Sequence, residues 1–242
     1  MSASPIAVID PERQPERHAR EVGRSRAVED YLKAVYKLQQ NAETVSTTAL
    51  ADELGRSAAS VTNMVKGLAE QGLLEHEPYR GVKLTASGEL TALRIIRRHR
   101  VLELYLIERL GFTWDNVHEE AERLEHAASE VLIDRMAGAL GEPSFDPHGA
   151  PIPTREGVIP LTQRTCLTQL EAGARGIVRE VSDDSAEGLR SLAALGLIPG
   201  TRIRVVSQST GGSRVSVEVE GLGREIEAGL ASTVFVELEP SD

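Results

Sequence analysis

Residues 117–130 read VHEEAERLEHAASE and hold two of the chain's six histidines together with five glutamates. Imidazole nitrogens and carboxylate oxygens are the donors that Mn(II), Fe(II) and Zn(II) accept. The same residue types also make an ordinary solvated acidic face, so geometry has to separate the two readings. At about 100° per residue in a helix, Val117, Ala121, Leu124, Ala128, Val131 and Leu132 form one apolar stripe. His118, Glu122, Glu125 and His126 lie beside that stripe in an arc of about 100°, with Glu119 at its edge and Glu120 outside. A solvated face would set Lys or Arg four residues from its acids. Only Arg123 is near, and it points elsewhere on the wheel. A second pair of the same donor types, His99 and Glu103, stands four residues apart on a preceding helix, hence on one face.

Ligands alone do not make an enzyme. Zinc peptidases need H-E-x-x-H, and the segment gives His118-Glu119-Glu120-Ala121-Glu122, with the wrong second ligand. Di-iron bundles repeat Glu-x-x-His, and neither His118 nor His126 has Glu three residues before it. No nucleophile elbow and no phosphate loop is present, so the expectation is a metal-binding protein that is not an enzyme.

The elements that must position these donors follow from composition and punctuation. The chain has 242 residues, 40% apolar and 3% aromatic, with a net charge of −10. That length predicts two domains or one with appendages. No apolar run is long enough to span a membrane, the start lacks a signal peptide's apolar core, and a single cysteine, Cys166, rules out an internal disulfide framework. A cytoplasmic protein is expected. The charge is uneven: residues 46–100 hold eight Lys/Arg against six Asp/Glu, a net of +2, whereas residues 101–142 hold three against ten, a net of −7. A basic segment followed by an acidic one predicts two separate tasks.

Residues 1–24 read as a disordered arm. From Ser25 to Gln40 apolar residues keep helical spacing. A short helix from Thr47 stops at Gly55, and Ser57 caps the next one, AASVTNMVKGLAEQG, which Gly72 ends. Two short helices joined by a tight turn are a helix-turn-helix. LLEHEPYRGVKLT then gives two strands around a Tyr79-Arg80-Gly81 turn, a β-wing. In such a winged helix-turn-helix the second helix enters the major groove. Its outward positions are Ser57, Ala59, Ser60, Asn63 and Lys66. Asn63 suits adenine and Ala59 a thymine methyl, while Lys66, Arg80 and Lys83 would neutralise phosphates. A protein-binding winged helix is the other reading of the same elements.

A long helix follows, GELTALRIIRRHRVLELYLIERLG. Its arginines Arg94, Arg97, Arg98 and Arg100 face either DNA or solvent. Its apolar positions exceed one stripe, which predicts contact with a second subunit. Beyond the Pro-rich stretch GEPSFDPHGAPIPTREG, five short strands and one helix read as a small SH3-like barrel. The expected fold is thus mainly α with a C-terminal all-β domain. Its parts are the winged helix-turn-helix (25–88), a helical metal-binding and dimerisation domain (89–145), a linker (146–163) and the barrel (164–242).

EDYLKAVYKL, the wing ending YRGVKLTASG, the helical pair RRHR and VHEEAERLEH, and FDPHGAPIP, in that order, resemble the metalloregulators related to the diphtheria toxin repressor and the manganese transport regulator. The resemblance covers about residues 25–240 and its barrel is similar to the small ferrous-transport accessory protein. It implies a primary metal site of Asp30, Glu122, Glu125 and His126, and an ancillary site of His99, Glu103 and His118. Glu180 and Asp183 of the barrel align loosely with positions that complete the ancillary site; an unligated loop is their other reading. The iron branch carries methionine where Asp30 stands and cysteine where Glu122 stands, so the resemblance points to the manganese branch. Lys33 departs from that branch, standing where small manganese regulators have a second-metal glutamate, which argues against a tight binuclear centre.

The expected function is a Mn(II)-responsive transcriptional regulator repressing divalent-metal uptake genes. Its expected form is a homodimer on a double-stranded DNA operator, with two dimers per operator as a further arrangement. Fe(II) is the alternative metal, and Co(II), Zn(II) or Cd(II) are expected substitutes in vitro. A metal-dependent hydrolase and a metal-handling accessory protein without DNA binding are the readings from other classes.

Overall fold

A computed structural model describes residues 13–40, 42–77, 80–182, 185–209 and 211–239, with the side chains described from Arg26 onward. The chain forms two compact units, the first closing at Leu93 and the second opening at Arg94.

The first unit holds α1 (Arg13–Gln39), α2 (Thr47–Leu54), α3 (Ala58–Glu70), the hairpin β1 (Leu74–Glu77) and β2 (Gly81–Leu84), and the start of α4 (Ala86–Leu110). Local chemistry fixes the helix-turn-helix. Ser46 Oγ accepts from the Ala49 N–H at 3.0 Å, and Gly55 ends α2 in the left-handed region at φ 59°. Ser57 Oγ then accepts from the Ser60 N–H at 3.3 Å to start α3. Leu32, Val35, Leu50, Val61, Val65, Leu68 and Val82 pack as the core. Gly81 opens β2 at φ 107°, and a Cβ there would stand 2.6 Å from the Val45 carbonyl oxygen, so only glycine lets the wing lie against residue 45. α1 begins at Arg13, so residues 13–24, expected within the N-terminal arm, lie on a helix. Pro15 is compatible with this because first-turn N–H groups have no intrahelical acceptor. Tyr79 and residues 1–12 lie outside the described residues.

The second unit starts with the rest of α4 and adds α5 (Val117–Leu124), α6 (Glu130–Ala139) and the β domain. Val101, Leu102, Leu106, Val117, Ala121, Ile133, Ala137 and Ile152 form its helical core. The continuous apolar stripe expected across residues 117–132 does not exist. α5 stops at Leu124, Ser129 Oγ caps α6 by accepting from the Leu132 N–H at 3.3 Å, and Val131 is 63% exposed. The cap resets the wheel, so α6 buries Ile133 and Ala137 instead of Val131 and Leu132.

The β domain contains β3 (Thr165–Cys166), β4 (Arg175–Val181), α7 (Ala186–Leu195), β5 (Arg202–Gln208), β6 (Arg214–Val219), β7 (Leu222–Glu227), α8 (Ala228–Ala231) and β8 (Val234–Leu238). Its antiparallel order is β3-β8-β4-β5-β6-β7. Alternation puts Val178, Ile203, Val205, Val215, Val217, Ile226 and Val236 inside. The two-residue β3 is the strand that the sequence reading lacks. The architecture is the expected one: winged helix-turn-helix, helical domain and SH3-like barrel.

Candidate metal centre

α4 carries His99, Arg100 and Glu103 on neighbouring positions of one face, with His99 Nε2 3.0 Å from Glu103 Oε1. α5 brings His118 and Glu122. His118 Nδ1 stands 3.1 Å from Glu103 Oε1 and 3.0 Å from His99 Nε2. Glu122 Oε1 lies 3.8 Å from His99 Nδ1 and 3.9 Å from His118 Nε2. Separations of roughly 3 Å are those between adjacent ligands around an ion bound at about 2.1 Å. His99, His118 and Glu122 offer ligand atoms within 4.8 Å of one another and form one candidate cation cluster, its outer side partly open through His118 and Glu122.

The turn after α5 presents Glu125, fully buried, whose Oε2 accepts from His99 Nδ1–H at 2.7 Å. Glu125 Oε1 is 3.4 Å from His126 Nε2. Glu125 keeps helical geometry as the C-cap of α5 (φ −56°, ψ −36°), its N–H on the Ala121 carbonyl, and so carries its carboxylate to His99.

A second cluster was not anticipated from the sequence: Glu103, Asp146 and His148, all buried. His148 Nε2–H donates to the Trp114 carbonyl at 2.9 Å, which leaves Nδ1 as the lone-pair nitrogen of a neutral ring. That Nδ1 faces Glu103 Oε2 at 3.8 Å, and both atoms are buried without a hydrogen-bond partner among the described residues. Two lone pairs facing each other in a dry site call for a cation, a proton or a metal ion. The residues thus fit a divalent ion, with Glu103 offering Oε1 to the His99–His118 side and Oε2 to the His148 side. Burial pushes the Glu103 carboxyl up, but the imidazoles of His118, His148 and His99 outweigh it and hold the group well below the ordinary carboxylate range. Burial pushes His148 down, and the facing Glu103 carboxylate more than offsets this, so its pKa is raised.

Asp146 and His148 lie in FDPHGAPIP, the stretch expected as linker. Asp146 Oδ1 accepts from the N–H groups of His148 and Ala150, each at 2.9 Å, and folds a turn that aims His148 inward. Trp114 Nε1–H holds the Pro147 carbonyl at 3.0 Å, and the Val181 N–H of β4 donates to the His148 carbonyl at 2.9 Å. Gly149, at φ 87°, lies so close to the Arg179 carbonyl that no Cβ fits. The only sequence signal was an Asp-x-His pair in a Pro/Gly-rich stretch.

The remaining expected residues fall as follows. Asp30 is half-buried on α1 of the first unit. Among the described residues Glu180 joins none of the cation clusters and pairs with Arg164, while Asp183 lies outside the described residues. Ser57, Ala59, Ser60, Asn63, Lys66, Arg80 and Lys83 are all exposed. Ser57 spends its hydroxyl on the α3 cap, and Arg80 pairs with Glu77 at 3.1 Å. The cluster Arg94, Arg97, Arg98 and Arg100 is corrected: of these four only Arg94 is exposed. Arg97 donates to the Pro153 carbonyl at 3.1 Å, Arg98 faces Glu130 at 3.7 Å, and Arg100 donates to the Pro151 carbonyl at 2.5 Å.

Three family models match in tandem: the iron-dependent repressor N-terminal DNA-binding domain over residues 25–82, its metal-binding and dimerisation domain over 85–154, and the FeoA domain over 165–238. The iron-dependent repressor IdeR of Mycobacterium tuberculosis is 30% identical over 205 residues, 80% of this chain and 88% of that protein. The chain belongs to the family of the iron-dependent repressors. Its members include the diphtheria toxin repressor of Corynebacterium glutamicum, 27% identical over 86% of this chain and 95% of that one. A solved manganese-dependent transcriptional repressor in complex with manganese is 37% identical, covers 88% of this chain and 100% of its own, and superposes with a TM-score of 0.83. The chain is accordingly a metal-dependent DNA-binding repressor of a dimerising family, one of transcriptional repressors and not of enzymes. Among the described residues no helix is long and apolar enough to cross a membrane. The metal-binding model reaches residue 154 and so includes Asp146 and His148.

Proposed function

We propose that the repressor responds to Mn(II) and silences divalent-metal uptake genes when loaded. The observation that carries this reading is the donor set. Every residue of the clusters in the second unit is an imidazole or a carboxylate, and Cys166 sits apart on β3, its Sγ 3.1 Å from Thr168 Oγ1. Oxygen and nitrogen donors hold Mn(II) without the preference for softer ions that a thiolate or thioether introduces. The manganese-bound relative supports the same choice.

In this reading Asp30, on the same helix as EDYLKAVYKL, joins Glu122, Glu125 and His126 as the primary site. His99, Glu103 and His118, with Asp146 and His148, form the ancillary centre. A divalent ion would add positive charge where these carboxylates and imidazoles converge. Ligation by Asp30 ties α1 to the turn after α5 and so selects the arrangement in which two winged helices of a dimer meet successive major grooves. Coupling of about 1–3 kcal/mol is enough for a useful switch. Glu180 and Asp183 remain proposed auxiliary ligands from the β domain.

Fe(II) is the competing assignment, favoured by the iron-dependent mycobacterial relative. The test selects operator DNA from a random pool with Mn(II)-loaded protein and then titrates it with Mn(II), Fe(II), Co(II) and Zn(II) without oxygen. Activation by Mn(II) at lower or equal free concentration than Fe(II) supports the assignment; a clear lead for Fe(II) removes it.

A further inference from the structure

Arg100 is on α4 three residues before Glu103, and its Nε stands 3.4 Å from Asp146 Oδ2. Asp146 Oδ1 is already taken by the amides of His148 and Ala150. Of the two Asp146 oxygens, Oδ2 is the one not engaged by these amides, and it is the oxygen that the guanidinium faces. The same guanidinium donates to the Pro151 carbonyl, five residues beyond Asp146. Arginine stays protonated in proteins, so this is a permanent positive charge beside the buried Asp146 carboxylate. It does for Asp146 in the metal-free protein what a bound ion would do.

We propose that Arg100 is a positioning residue that stands in for the metal ion at Asp146, keeping residues 146–151 folded in the metal-free repressor and weakening cation uptake at the Glu103–Asp146–His148 cluster. This rests on reading that cluster as a metal site. The structural consequence is a turn formed in advance, so that His148 points at Glu103 before any ion arrives. The energetic consequence is competition: an ion reaching Oδ2 must share it with a fixed cation at close range, where like charges repel. One fixed charge thus both shapes the buried cluster and opposes its filling.

The experiment uses the full-length protein and two readouts besides DNA binding. Mn(II) calorimetry first identifies the binding event abolished by His148→Ala. Arg100→Gln, which removes the charge, is expected to tighten that event about tenfold, whereas Arg100→Lys, which keeps it, stays within about twofold. Hydrogen exchange of the His148 and Ala150 amides is expected to be slow in the metal-free wild type. In metal-free Arg100→Gln it becomes fast, and Mn(II) restores protection. If Arg100→Gln does not fold, the wild type still decides: Zn(II), a diamagnetic probe, should shift the Arg100 Nε–H resonance and speed its exchange as the His148-dependent event fills. An unchanged affinity in Arg100→Gln, amides protected there without metal, or an unmoved Nε–H resonance overturns the proposal. If His148→Ala abolishes no binding event, the underlying metal-site reading fails instead, and the two failures are distinguishable.

Discussion

His99 Nδ1–H donates to Glu125 Oε2 at 2.7 Å, joining the two ligand sets that the resemblance assigns to separate sites. The hydrogen bond fixes the ring so that Nε2 turns its lone pair toward Glu103 and His118. A carboxylate behind a ligating imidazole also raises its basicity. The two sets therefore cannot load independently.

Glu125→Gln and His99→Ala should each weaken Mn(II) binding, and the double variant should lose less than the sum of the two. A coupling energy of about 0.5–3 kcal/mol is expected for residues in one hydrogen-bonded network. Calorimetry on the four proteins of the cycle measures it; strict additivity would separate the sites again.

The Glu103–His148 pair predicts a pH dependence. The pKa of Glu103 is depressed, so its contribution to stability is present above the unfolded carboxyl value and is lost as pH falls through the depressed one. The pKa of His148 is raised, so its contribution is fully present below the unfolded imidazole value and is lost as pH rises through the raised one. Metal-free protein should thus be stabilised by this pair on the acid side of neutrality. Ligation by Nδ1 must expel the proton held there, so binding releases protons and the apparent affinity climbs with pH until the raised value is passed. Calorimetry in buffers of different ionisation enthalpy reads the release, and His148→Ala should lower it.

Gly149→Ala tests how the turn is held against β4. The position combines φ 87° with a backbone approach that excludes a Cβ. Strain on the order of 1–3 kcal/mol is expected, and thermal unfolding should fall by several degrees, at about 2–4 °C per kcal/mol for a chain of this size. Asp146 and His148 would shift with it, weakening the His148-dependent Mn(II) event. Unchanged unfolding and unchanged metal binding would show the turn to be loosely placed.

For DNA, the exposed Lys66, Arg80 and Lys83 predict affinity that falls with salt as phosphate contacts release counterions. Arg80→Ala should weaken all sequences alike, and Asn63→Ala should relax preference at particular base pairs. Binding to a library of operator variants distinguishes the two; identical profiles would misassign α3.

Much of this was legible because it is periodic or punctuated. Gly55 and Ser57 announce the helix-turn-helix through capping chemistry, and His99, Glu103, His118 and Glu122 announce themselves through helical spacing. Glu125 was found as a donor, but its burial was not, because its cover includes His99 of α4, a partner distant in sequence. Asp146 and His148 lie on an irregular segment, where no period relates sequence distance to direction. Their inward aim comes from a side-chain turn, the Trp114 loop and β4, contacts of long range that local patterns do not encode. The roles of Arg97 and Arg100 were hidden for the same reason: their partners are the carbonyls of Pro153 and Pro151.

The most direct test of the central claim is an anaerobic titration of operator binding with Mn(II) and Fe(II). It compares wild type, Glu122→Ala and the pair Asp30→Met with Glu122→Cys. Wild type should be activated by Mn(II) at free concentrations no higher than Fe(II) requires. The sulfur-bearing pair should shift toward Fe(II) and Co(II), and Glu122→Ala should stay folded but bind operator without a metal response. Stronger activation of wild type by Fe(II), or metal-dependent operator binding that survives in Glu122→Ala, would contradict the account.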